Sequence, residues 1–222
     1  MSSKLLTVPG YHGSCEHHWQ SWLEQQYVLA ERVTGIDWEQ PHLLVWAQAI
    51  ERQIVESKQP VILVAHSFGC LAATLAAVRH PARIAGLILV APASPKRFGQ
   101  QGFFGSNTEY GRDISQLLPQ QALPGLGLMI GSENDPWMDI DSARYWARVW
   151  NLAFYNAGRL GHINVDSGHG SWPLVKEFTD ALLEALAPLP GEDISYLGRW
   201  NRLQRSPGLG RQFAAQKKLE YV

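Results

Sequence analysis

Cysteine is almost missing from this chain: only Cys15 and Cys70 occur among 222 residues. They lie far apart, with no C-x-x-C and no Cys/His cluster at zinc spacing, which excludes a disulfide framework and a zinc module. Charge is sparse as well. Asp, Glu, Lys and Arg make up 18% of the residues and leave a formal net charge of -1. Nucleic-acid binders need excess cations to displace counterions from phosphates, so this balance points away from nucleic acid. Long apolar runs are absent too. The longest, Ile84 to Ala93, is interrupted by Gly86 and Pro92 and falls short of the roughly 18 residues that cross a bilayer. The opening residues hold one Lys and a brief apolar stretch at Leu5–Val8, with no Ala-x-Ala cleavage site behind it. Together these gaps set the expectation of a soluble, cytoplasmic protein with reduced thiols and neither membrane nor nucleic acid as partner.

What is present is a core. Apolar residues reach 45%, which excludes an intrinsically disordered chain. A single domain of this length buries roughly 70% of its unfolded surface without metals or disulfides. The nine Trp suggest aromatic walls or a large packed interior.

Short apolar runs alternate with longer helical patterns. The runs Leu5–Val8, Val61–Ala65, Leu87–Val90, Leu126–Ile130 and Ala153–Tyr155 each end in turn residues, as buried strands do. A weaker sixth candidate is Val28–Val33. Between them, Leu43–Ser57, Cys70–Arg79, Ile140–Trp150 and Pro173–Ala187 read as helices, the second apolar on nearly every side. This alternation predicts a doubly wound α/β domain: a mostly parallel sheet of about six strands with helices on both faces. Ligands bind such sheets at the carboxyl ends of the strands, so functional residues belong just after each run.

Two segments break the rhythm. Ser94–Pro124 lacks a period and carries Phe98, Phe103, Phe104 and Tyr110, the composition of a loop or small cap. The end of the chain, 191–222, has six Lys/Arg against three acids and reads as a basic extension of a 1–190 α/β domain, its partner unknown.

The most informative stretch is Val61-Ile-Leu-Val-Ala65-His66-Ser67-Phe68-Gly69. An apolar strand runs into a sharp turn centred on Ser67, and an apolar helix follows at once. This is the context of a nucleophile elbow, with Ala65 in place of the first Gly of G-x-S-x-G. The positions two before and two after the serine must be small because strand and helix backbones nearly touch there. The helix that follows offers free N–H groups and a positive dipole end to a developing oxyanion.

A serine hydroxyl needs a base and an orienting acid. After Leu126–Ile130 comes Gly131-Ser-Glu-Asn-Asp135-Pro136, and after Ala153–Tyr155 comes a loop containing Gly161-His162. Asp135 and His162 therefore follow Ser67 in the order this architecture requires. His169 is the alternative base. His12, His17 and His18 precede the serine, and His66 packs under the elbow. Glu133, Asp139 and Asp141 are alternative acids, the last two better suited to helix capping. The second oxyanion donor belongs in the loop Pro9-Gly10-Tyr11-His12-Gly13, from the N–H of Tyr11 or of His12, to join that of Phe68. Trp19, Trp137 and Trp172, with Tyr11, are expected on the rim as substrate contacts around a shallow site for short acyl chains.

These residues resemble a family. Pro9-Gly10, His18-Trp19-Gln20 with Trp22, the elbow, Leu89-Val90-Ala91-Pro92, Ser132 with Asp135-Pro136, Gly161-His162-Ile163-Asn164, Ser167-Gly168 and Trp172-Pro173 are similar to the small serine hydrolases related to retinoblastoma-binding protein 9. The similarity runs from Lys4 to Ala187. It implies an α/β-hydrolase fold with a minimal cap, a Ser67–Asp135–His162 triad, and small esters or amides as substrates. Neither cofactor nor metal is implied. Two alternatives stand beside hydrolysis: acyl transfer from the same nucleophile, and a non-catalytic protein-binding module on a hydrolase scaffold.

Overall fold

The computed structural model describes residues 3–103 and 113–187. In chain order its strands are β1 (Lys4–Val8), β2 (Ala30–Arg32), β3 (Val61–His66), β4 (Ile84–Val90), β5 (Phe98–Gly99), β6 (Gly102–Phe103), β7 (Leu126–Gly131) and β8 (Ala153–Asn156). The α-helices are α1 (Trp19–Glu24), α2 (Leu43–Glu56), α3 (Phe68–Arg79), α4 (Ile140–Val149) and α5 (Pro173–Leu186). Six strands pair in the order β2-β1-β3-β4-β7-β8, and every neighbouring pair is parallel. Strands β5 and β6 form a separate antiparallel hairpin.

The period of two along the strands divides the interior between the faces of the sheet. Leu6, Val8, Leu63, Ala65, Leu87, Leu89 and Met129 point to the face covered by α2, α3 and α4. Leu5, Ile62, Val64, Ile88, Val90, Leu128 and Ile130 point to the face covered by α1 and α5. Helix α3 packs against both the sheet and α2, so each of its residues from Phe68 to Ala77 is buried. That position explains why its sequence is apolar all round.

Strand β1 lies between β2 and β3, so the chain goes first to one side of it and then returns to the other. Parallel sheets bind ligands where the winding reverses in this way, because the loops after the two strands diverge and leave a crevice. The loop after β1 and the turn after β3 therefore meet at one place.

The structure adds a helix that periodicity did not announce. Helix α1 has only six residues, too few to show a pattern of its own. The sixth strand is real but shorter than the Val28–Val33 run, covering Ala30–Arg32, and Val28 is fully exposed before it begins. Within 94–124, short 3-10 turns at Pro95–Arg97 and Ile114–Leu117 accompany the β5–β6 hairpin. Phe104, Tyr110 and the basic extension at 191–222 lie outside the described residues. No helix among the described residues is long and apolar enough to cross a membrane.

Candidate active site

Ser67 sits between the end of β3 and the first residue of α3 with φ 54° and ψ −126°. Non-glycine residues avoid that region, which marks backbone strain held in place by its surroundings. The surroundings are tight. A Cβ on Gly69 would lie 2.2 Å from the Pro9 carbonyl oxygen and 2.6 Å from that of Val8. Only glycine lets α3 approach the end of β1 so closely. Ala65 is fully buried in β3 and does not take a positive φ, so the position does not require the leading Gly's conformational freedom.

The three expected side chains converge. Ser67 Oγ lies 2.8 Å from His162 Nε2, and His162 Nδ1 lies 2.9 Å and 3.0 Å from the two carboxylate oxygens of Asp135. The Asp135 side chain is almost wholly buried, and one of its oxygens also accepts the Trp137 N–H at 2.8 Å. With the carboxylate on Nδ1, the imidazole carries its proton there and turns its Nε2 lone pair to the serine.

The loops carrying Asp135 and His162 are tied to each other. Ser132 Oγ accepts the Leu160 N–H at 3.0 Å, and Asn134 Oδ1 accepts the Gly161 N–H at 2.8 Å. Glu133 supports the same junction, its N–H donating to the Gly158 carbonyl and its carboxylate accepting from Asn156.

The rival residues have other tasks. Asp139 caps α4, accepting the N–H and hydroxyl of Ser142, and those two bonds hold its carboxyl below its ordinary pKa. Asp141 is exposed and pairs with Arg144. His12 pairs with Glu39 and His17 with Glu16, both at the surface. His169 bonds Ser167 and packs edge-on to Trp172, and desolvation lowers its pKa.

The loop after β1 discriminates between the two oxyanion candidates. The His12 N–H is already bound to the Trp38 carbonyl at 3.1 Å, whereas the Tyr11 N–H has no partner among the described residues. Phe68, as the first residue of α3, has no carbonyl one turn earlier to receive its N–H.

The aromatic residues divide into two groups. Trp137 lies 5.6 Å from the His162 ring and carries the Arg97 guanidinium 5.0 Å above its own ring. Phe103, on β6, stands between Trp137 and Tyr11 with ring separations of 5.9 Å and 4.6 Å. Trp19 is not at the rim. It is completely buried, and its indole N–H donates to the Ile163 carbonyl at 2.8 Å. Trp172 is nearly buried and packs edge-on to Trp19. A buried indole must find an acceptor, and here it finds one beside His162.

The His18-Trp19-Gln20 run thus gains a structural meaning that local sequence did not show. His18 Nδ1 caps α1 by accepting the Gln20 N–H at 3.2 Å. Trp19 reaches the His162 loop. Gln20, fully buried, donates to the Val8 and Val64 carbonyls at 3.1 Å and 3.0 Å and accepts from the Ser14 hydroxyl. That amide ties together the ends of β1 and β3 where they part. His66, just before Ser67, is buried with its Nε2 2.9 Å from the His162 carbonyl.

A parallel sheet with a strained serine after its third strand, followed along the chain by an acid and a histidine, defines an α/β hydrolase. Residues 5–181 match the model of the serine hydrolase family, and the chain belongs to that family. It is similar to a YdeN-like hydrolase from Pectobacterium atrosepticum, with 34% identity and a TM-score of 0.74 over 84% of this chain and 94% of that one. The ydeN gene product of B. subtilis shares the fold at 20% identity, with a TM-score of 0.64 over 82% of this chain and 100% of that one. Est1E of Butyrivibrio proteoclasticus does so at 15% identity, with a TM-score of 0.58 over 82% and 86%. No curated protein sequence matches the chain.

Proposed function

We propose that this serine hydrolase cleaves small carboxylic esters or amides through an acyl-enzyme formed on Ser67. The observation that carries the reading is the unbroken contact from Ser67 Oγ through His162 to the buried Asp135, at 2.8 Å and 2.9 Å. Ser67 Oγ bonds to the acyl carbon while its proton passes to His162 Nε2. The carbonyl oxygen becomes an oxyanion, received by the Phe68 and Tyr11 N–H groups. The imidazolium, paired with Asp135, then protonates the departing alcohol or amine as its bond to the acyl carbon breaks. Water repeats the sequence: His162 takes its proton, its oxygen attacks the acyl-enzyme, and Ser67 leaves with that proton restored.

Tyr11, Phe103 and Trp137 form a line of rings ending on His162. Such crowding favours short acyl chains, with Tyr11 and Trp137 as substrate contacts. Membership of the branch related to retinoblastoma-binding protein 9 is supported by the elbow and by the Gly161-His162-Ile163-Asn164 run.

A fluorophosphonate probe tests the nucleophile and a panel of p-nitrophenyl esters tests the acyl preference. Labelling confined to Ser67, with turnover falling as the acyl chain lengthens, is the expected result. Absence of labelling in folded protein sinks the catalytic reading, and a preference for long chains sinks the short-acyl one.

A further inference from the structure

The residue after the candidate catalytic histidine is held in a conformation it would not choose. Ile163 has φ 49°, in the left-handed region, and it is fully buried. For a β-branched side chain this is a true outlier, because Cβ crowds the following carbonyl. Such strain persists only where neighbouring groups over-determine the backbone. Those groups can be identified. The His66 Nε2–H donates to the carbonyl of His162 at 2.9 Å, and the Trp19 Nε1–H donates to the carbonyl of Ile163 at 2.8 Å. Two consecutive carbonyls are thus held by ring N–H groups from two other elements, the end of β3 and the start of α1. On the preceding side, the N–H groups of Leu160 and Gly161 are held by Ser132 and Asn134. The His66 ring also lies 4.9 Å from the His162 ring and 5.9 Å from the Trp19 ring.

We propose that His66 and Trp19 are positioning residues for the His162 imidazole: their ring N–H groups clamp the 162 and 163 carbonyls, hold the backbone in its left-handed turn, and so aim Nε2 at Ser67. The proposal rests on the catalytic reading of Ser67 and His162. Both clamp residues spend their ring N–H groups on the backbone of the His162 loop, not on Ser67 Oγ or His162 Nε2. His66 does this work as a neutral ring. Burial, and then the neighbouring His162 and His18, push its pKa well down, which spares the reaction a second cation beside the imidazolium. The position before the nucleophile is suited to the task, since the turn that presents the Ser67 hydroxyl also fixes the neighbouring ring on the same strand end. A misplacement of the imidazole by about an ångström is enough to slow attack on the order of 10²-fold, because general-base transfer requires hydrogen-bond reach to the serine.

Four variants test this on the full chain: His66→Leu, His66→Gln, Trp19→Phe and Ser67→Ala. Each is assayed with a short p-nitrophenyl ester, with folded fraction checked by circular dichroism. His66→Leu removes the donor and keeps the bulk, whereas His66→Gln keeps an N–H at the reach of Nε2. His66→Leu and Trp19→Phe should lower kcat by about 10–100-fold with KM changed less than about twofold, and His66→Gln should recover most of the loss. A merely structural role would lower the melting temperature while leaving kcat per folded molecule unchanged. If folded His66→Leu keeps kcat within twofold of the parent while Ser67→Ala is inactive, the clamp is overturned and the hydrolase reading survives. If Ser67→Ala itself retains turnover, both fall. Trp19 lies in the core, so if Trp19→Phe fails to fold, the His66 pair decides alone.

Discussion

Gly10 stands so close to Ser67 that a methyl group on it would come within 2.6 Å of the serine Cβ and 3.3 Å of its Oγ. The loop after β1 is thus in contact with the proposed nucleophile, at the residue before the Tyr11 N–H. Gly10→Ala should therefore move Ser67 or the loop without disturbing the rest of the sheet. The expected outcome is a fall in kcat/KM for a short ester of about 10²-fold, with slower fluorophosphonate labelling and a nearly unchanged circular dichroism spectrum. Undiminished turnover would place the loop's control of the nucleophile in error.

Ser67 combines its proposed function with a cost. Ser67→Ala should reduce ester hydrolysis by at least about 10³-fold, since binding and oxyanion donors alone remain. Ser67→Gly should be equally inactive but more stable than Ser67→Ala by about 1 kcal/mol, because glycine adopts φ 54° and ψ −126° without a Cβ clash. Urea unfolding of the two variants makes the comparison. Equal midpoints would mean that the elbow stores no strain.

The elbow was legible in the sequence because several local constraints coincide: an apolar strand, small residues around Ser67 and an all-apolar helix. Asp135 and His162 were legible because each follows a strand in the order the winding demands. What could not be read locally is long-range pairing. Trp19, by its type, suggested a rim, yet its indole pairs with a carbonyl 144 residues away. Likewise Gln20 reads as an ordinary polar residue until its two carbonyl partners at the ends of β1 and β3 are known. The choice of Tyr11 over His12 depends on Trp38, whose carbonyl occupies the His12 N–H, and no local motif reports that.

Asp135→Asn separates orientation from packing. The amide oxygen can still accept the Trp137 N–H, so the turn after β7 should persist. The side chain no longer favours the Nδ1–H tautomer or stabilises an imidazolium, and kcat should fall by roughly 10⁴-fold. The same substitution at Asp139, which caps α4, should leave kcat within about twofold, since asparagine is as good a cap. A loss of similar size at both positions would reassign the acid.

His18 predicts how stability depends on pH. It is almost fully buried, its Nδ1 is occupied as the α1 cap, and its Nε2 has no partner among the described residues. Burial first, then the Arg32 guanidinium and the nearby His162 and His169, bring its pKa from 6.5 down to about 4. The unfolded chain accepts a proton at this ring below about 6.5, and the folded protein resists it until about 4. Between these values the unfolded state binds more protons, so stability rises with pH across that window and is lost on acidification. The loss attributable to His18 is of the order of 3 kcal/mol at the acid end, at 1.36 kcal/mol per unit. His66, whose pKa is lowered by the same burial, acts in the same direction. His18→Asn retains a capping oxygen and removes the titration. Its urea midpoint should therefore fall less steeply than the parent's between pH 7 and pH 4.5. Parallel curves for parent and variant would show that the buried ring makes no contribution to the acid sensitivity of the fold.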